Sequence, residues 1–332
     1  MLNVRRSQRD VVWPDDFSEE MAAGLRGQLE IYRTLAGDVD CVFLDDESFN
    51  AAASRDGGRY SIGINIGAAL LTARYAYCLL SDPAMLPSIG NPREEEVDPD
   101  VVEQLRNPLA PLDAQGFGRY LPRDPKRVEA AKQLSVAVYL FLFFHELNHV
   151  ELGHLDFAID HLGVSEYREI NAAPVEAEDA AILRALELEA DLAALYRSLK
   201  VWRAMIPLFD DPVMAILDPE DSWFLAVELF FWIMDFVQPP GRVGALATHP
   251  SPVARWLSAQ EATSNVNWVS EMKSPSPLIP WIARNSFSSR ALTDPPHRSP
   301  DRAEPELVET LNRLAVLLPA LEPYRRFSSE RD

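Results

Sequence analysis

Two histidines and a glutamate form the densest cluster of chemistry in this chain: His145, Glu146 and His149, in the run His145-Glu146-Leu147-Asn148-His149. An α-helix turns about 100° per residue, so residues four apart share a face roughly one turn apart and both imidazoles can reach one cation. Glu146 lies about 100° round from His145. That is too far to complete a ligand shell easily, but close enough to hold a water on the same cation. The spacing therefore points to zinc, with His145 and His149 as ligands and Glu146 as general base. The run follows directly on Val136-Ala137-Val138-Tyr139-Leu140-Phe141-Leu142-Phe143-Phe144. Titratable groups in so apolar a setting are costly unless something satisfies them, and a metal ion does so.

A catalytic zinc normally keeps three protein ligands and one open position. The downstream candidates are His154, His161, Glu187 and His249. The longer pattern HExxHxxGxxH would put glycine at 152 and histidine at 155, where this chain has Leu152 and Leu155. His154 is about 180° round from His145 on one continuous helix. It cannot share the metal unless that helix breaks first, and it reads as a surface or second-layer residue. Glu187 is the better third ligand. It stands in Glu187-Leu188-Glu189-Ala190-Asp191, where Glu187 and Asp191 share a helical face and Leu188, Leu192 and Leu195 cover another. Such a helix is apolar nearly all round and therefore buried. Two carboxylates on a buried face need partners. Glu187 on zinc and Asp191 accepting the second N–H of a ligand histidine would satisfy both. Glu189 points elsewhere, toward solvent.

The elements that must position these residues read as α+β, mostly helical, with a small sheet. Helices are expected at about 17–36, 67–80, 126–154, 174–199, 202–208, 219–237, 249–262 and 306–318, with a short one at 98–106. Asp40 to Leu44 reads as a strand. Arg59 to Ile66 alternates with Tyr60, Ile62, Ile64 and Ile66 on one side, the period of a half-buried strand. It is an ordinary core strand, or an edge able to hold an extended peptide by β-addition. Ser54 to Gly58 before it reads as a turn. The chain divides into an α+β part at 1–125 that ends in a Pro- and acid-rich connection, a helical core at 126–262, and a Pro/Ser-rich segment with a closing helix at 263–332.

The 332 residues are 47% apolar, enough for a sizeable core. A net charge of −20 argues against nucleic acid or an anionic membrane as partner, since both need basic patches. Cys41 and Cys78 form no disulfide framework. The N-terminus lacks the apolar stretch of a secretory signal. The apolar runs Leu134–Phe144 and Trp223–Val237 fall short of the roughly 20 predominantly apolar residues of a membrane span. They read as buried core helices of a cytoplasmic protein.

Three motifs in order now carry a resemblance: HELNHVELGH, then ELEAD, then His249-Pro250-Ser251-Pro252-Val253-Ala254-Arg255. Together they resemble the gluzincin metallopeptidases of the HtpX and CAAX-prenyl-protease type. Motif order and chain length are closer still to the soluble phage-exclusion peptidase Lit group. The resemblance covers roughly residues 130–260. It implies a zincin-like core with one zinc on His145, His149 and Glu187, Glu146 as catalytic base and Asp191 as the acid behind a ligand histidine. It further implies that His249 approaches the active site, where it could stabilise a developing oxyanion, and that Arg255 is a buried ion-pair partner. The membrane helices of the HtpX type are missing, so its substrates do not transfer. The Lit-like comparison implies a cytosolic endopeptidase acting on a protein or peptide substrate, in phage defence. Two other readings stay open: a zinc-containing regulatory or protein-binding module without turnover, and a helical binding protein with a coincidental HExxH. A structural zinc site has no need of a base at position 146, which favours the enzyme.

Overall fold

The computed structural model describes residues 19–96, 121–163, 166–168, 176–217, 219–237, 247–264 and 300–326. The helix that carries the motif starts where local chemistry dictates. Asp124 accepts from Arg127 N as N-cap, and Pro125 occupies the first turn, where its missing N–H costs nothing. The helix then runs unbroken to Glu151.

In chain order the elements are α1 (Glu19–Ala36), β1 (Asp40–Leu44), β2 (Ala51–Asp56), β3 (Arg59–Asn65), α2 (Ile66–Ser81), α3 (Pro125–Glu151), α4 (His154–Leu162) and β4 (Glu166–Arg168). Next come α5 (Ala177–Met205), α6 (Pro219–Val237), α7 (Pro252–Ser264) and α8 (Pro300–Leu321), with short 3-10 turns between and after them. The expected mostly helical α+β class is what is found. The expected 98–106 helix, the break at 239–241 and most of the Pro/Ser-rich stretch lie outside the described residues.

The sheet order is β1-β3-β2-β4, with β1 parallel to β3 and the other neighbours antiparallel. β3 is thus flanked on both sides and offers no edge for a peptide, which removes that option for the Tyr60–Ile66 run. The turn is shorter than the expected Ser54–Gly58. Ser54 to Asp56 pair with β3, and Gly57 and Gly58 alone turn the chain, both at positive φ (54° and 86°). A two-residue hairpin loop of this kind needs φ > 0 at both positions, hence two glycines.

Helix α3 is the central element, packed against α2, α5 and α6. Tyr32 of α1 stacks on Phe143 at 4.3 Å, and Phe141 meets Phe230 and Phe231 of α6 edge-on. Such aromatic pairs add about 0.5–1.5 kcal/mol beyond the area they bury. Among the described residues α3 is the one helix long and apolar enough to cross a membrane, and 78% of its most apolar stretch is buried inside the fold. Its start is fixed by Arg127, fully buried, which donates to the backbone carbonyls of Leu80, Asp82, Met85, Leu86 and Ile89. One guanidinium thereby ties the turn after α2 to the first turn of the motif helix. The two cysteines are unpaired and buried, and burial pushes both thiols up to about 12.

A candidate metal centre

Helix α5 lies along α3 and turns its Glu187–Asp191 face toward His145 and His149. Ligand atoms of His145, His149 and Glu187 lie within 4.8 Å of one another, and all three residues are buried. His145 Nε2 is 3.1 Å from His149 Nε2 and 3.2 Å from Glu187 Oε2, and His149 Nε2 is 3.4 Å from Glu187 Oε1. Glu146, on the next position of α3, is 1% exposed.

What surrounds these atoms determines where their protons sit. His145 Nδ1 lies 2.9 Å from Asp191 Oδ1, and the nearby carboxylate favours the hydrogen on that nitrogen. Asp191 is in turn gripped by Arg255, whose Nε and Nη2 donate to its two oxygens at 2.6 and 2.8 Å. On the other side, His154 Nε2 meets Glu189 Oε2 at 3.0 Å and so is a donor there. If His154 carries one N–H, and that hydrogen faces Glu189, its Nδ1 is an acceptor. In that tautomer His149 Nδ1, 3.1 Å away, is the donor to it. Both ligand histidines therefore present a bare Nε2 lone pair inward, beside an acidic carboxylate. Three electron-pair donors converge with no hydrogen among them. Glu187 Oε2 accepts no hydrogen bond there. A metal ion could be held by such a set of two imidazoles and one carboxylate.

Charge supports the same assignment. Burial pushes the His149 imidazole down to about 4 and outweighs the opposing pull of Glu187. Burial alone would raise Glu187, yet His249, His149 and His145 together hold its carboxyl well below the ordinary range. For His149 and Glu187 these directions favour the neutral imidazole and ionised carboxylate that a metal needs. This gives an expected acid lability of the metal-free chain. Between about pH 6.5 and pH 4 the unfolded chain protonates its histidine while folded His149 stays neutral. Stability present above 6.5 is lost as pH falls through that window, roughly 3 kcal/mol from His149. Urea unfolding of metal-free protein at several pH values measures it. A midpoint that stays flat from pH 7 to pH 5 would contradict the assignment. The Glu187 contribution is lost at lower pH still, below the usual carboxylate range.

The sequence-derived residues fall into place unequally. His145, His149, Glu187, Asp191 and Arg255 come together as expected. His249 approaches too, but its position is specific: Nε2 is 3.4 Å from Glu187 Oε1, and Nδ1 is 3.0 Å from Thr248 Oγ1. His161 stacks on Phe157 and lies 3.0 Å from that residue's carbonyl, outside the ligand group. His154 takes the second-layer place rather than the surface one, and the continuous helix to 154 and the solvent-facing Glu189 need correction. Helix α3 ends before His154, because Gly153 adopts φ +77°, so His154 opens α4 and turns back onto His149, fully buried. Glu189 is not a solvated residue: its side chain is 13% exposed and is held by His154 and Arg325. Burial would raise its carboxyl, but those two partners hold it below the usual value. Sequence spacing missed Glu189 and Arg325 behind His154 because they depend on a break in the helix and on a residue 136 positions away. No protein-family model, no curated protein and no solved structure matches this chain.

Proposed function

We propose that the chain is a zinc-dependent peptidase of gluzincin type, using Glu146 as general base on a protein or peptide substrate. The observation that carries this is the convergence of the His145 and His149 Nε2 atoms and the Glu187 carboxylate one residue away from a buried glutamate. Zinc held there would supply Lewis acidity and a bound water acidic near neutral pH. Glu146 takes a proton from the attacking water and returns it to the leaving amine as the C–N bond breaks. Asp191 keeps the His145 hydrogen on Nδ1, away from the cation. His249, at the rim of the ligand group, is placed to donate to the oxygen that gains charge as the carbonyl is attacked. The net charge of −20 sets the surface against nucleic acid.

The test is hydrolysis of unstructured peptides by zinc-loaded full-length protein. Cleavage is expected, lost on chelation and restored by zinc. Absence of cleavage across a library covering every residue type on both sides of the scissile bond would sink the proposal.

One observation favours a second reading, a closed and non-catalytic zinc module. The His249 side chain is 10% exposed and lies outside the three-residue ligand group. Yet its Nε2 is 3.4 Å from Glu187 Oε1, so a shift toward the group would add a fourth protein ligand, which is how structural zinc sites are built. His249→Ala separates the two. The enzyme keeps its metal and loses rate, whereas the closed site loses metal affinity by orders of magnitude.

A further inference from the structure

The chain that follows α8 returns to the back of the motif helix. Leu321 is fully buried, and the turn Glu322–Tyr324 comes next. A Cβ on Gly153 would meet Tyr324 O at 2.2 Å, so the glycine that ends α3 also leaves room for the tail. Arg326 N donates to Glu151 O at 2.9 Å, and Tyr324 packs edge-on against Phe157 of α4. Between these anchors Arg325 Nη2 reaches Glu189 Oε1 at 2.5 Å. The other Glu189 oxygen lies 3.0 Å from His154 Nε2, and His154 Nδ1 lies 3.1 Å from His149 Nδ1.

The two ligand histidines are therefore backed alike. Behind His145 stand a carboxylate and an arginine, Asp191 and Arg255. Behind His149 stand His154, Glu189 and Arg325. The difference lies in the arginines: Arg255 is fully buried in α7, while the Arg325 side chain is 19% exposed on the tail. If the second chain of hydrogen bonds were lost, His149 could carry its hydrogen on Nε2. That places a hydrogen inside the ligand group and blocks ligation.

Resting on the metal reading above, we propose that Arg325 is a positioning residue for the metal centre. Through Glu189 and His154 it fixes the tautomer and ring of His149, and the C-terminal tail thereby sets metal affinity. Loss of an outer partner of this kind typically weakens metal binding 10–100-fold.

The experiment measures zinc affinity by competition with a chromophoric chelator, and cobalt(II) absorption, on the full chain. The variants are Arg325→Ala, Arg325→Lys, Glu189→Gln, the double variant Arg325→Ala with Glu189→Gln, and Arg313→Ala. Arg313 ties α8 to Glu178 of α5 at an exposed site and controls for general loosening of the C-terminal helix. Arg325→Ala and Glu189→Gln are each expected to bind zinc about tenfold more weakly, with altered cobalt bands. Arg325→Lys should be intermediate, Arg313→Ala unchanged, and the double variant no weaker than the worse single one, since both act along one path. Glu189→Gln leaves the tail sequence intact and stands in if the tail variant fails to fold. Wild-type affinity and spectrum in both Arg325→Ala and Glu189→Gln, with one metal bound by wild type, would overturn this role alone. A wild type that takes up no metal would overturn it together with the metal reading.

Discussion

Glu146→Gln is expected to abolish peptide hydrolysis while leaving the metal in place. The amide is nearly isosteric with the carboxylate, so packing around a residue 1% exposed is preserved. It cannot accept the proton that the attacking water must lose. General base catalysis contributes on the order of 10²–10⁴-fold, and a loss in that range is the expected result. His145, His149 and Glu187 are untouched by the change, so metal content should match wild type. Measuring hydrolysis and metal on the same preparation checks both halves. Turnover within about threefold of wild type would remove Glu146 from the general-base role, which by itself accounts for about a hundredfold or more. Loss of metal along with activity would make it part of the cage instead.

The second large effect is on stability. Arg255→Met should destabilise the protein by roughly 3–5 kcal/mol, because it leaves the Asp191 carboxylate buried without its bidentate cation. Both residues are essentially inaccessible, at 0% and 1% exposure. The guanidinium also lies over the rings of Phe231 and Phe230, at 5.4 and 5.9 Å, so the loss includes packing with α6. Denaturant unfolding should show a lower midpoint with an unchanged slope. Adding Asp191→Asn to Arg255→Met should recover much of the stability, since the uncompensated charge rather than the missing pair is the main cost. It should not recover metal affinity, because the neutral amide no longer orients His145 as the carboxylate does. A loss below about 1 kcal/mol in Arg255→Met would mean that Asp191 is satisfied without the arginine.

The parts of this molecule legible in sequence are those governed by short-range periodicity. A helix places i and i+4 together, so HExxH and ExxxD announce their own faces. Pro125 announces the start of α3. The alternating β3 run was readable for the same reason. The strand β2 was not, because Ala51-Ala52-Ala53 carries no β-branched or aromatic signal and is a strand only by pairing with β3. The layer behind His149 was legible only in part. Position 154 was read on a continuous helix, whereas the left-handed Gly153 ends α3 and sends His154 back to His149. Glu189 looked exposed because its cover comes from Arg325, 136 residues away. Contacts at that separation leave no periodic trace. His249 and Arg255 came from family resemblance rather than from spacing, and their positions beside Glu187 and Asp191 are what make them interpretable.

The most direct measurement is metal content of the purified full chain after zinc reconstitution and dialysis, wild type beside Glu187→Ala. About one zinc per chain is expected in wild type and a clear loss in the variant, because two imidazoles alone hold zinc weakly. A wild type without stoichiometric metal, folded and reconstituted under the same conditions, would contradict the metal centre and every step that rests on it.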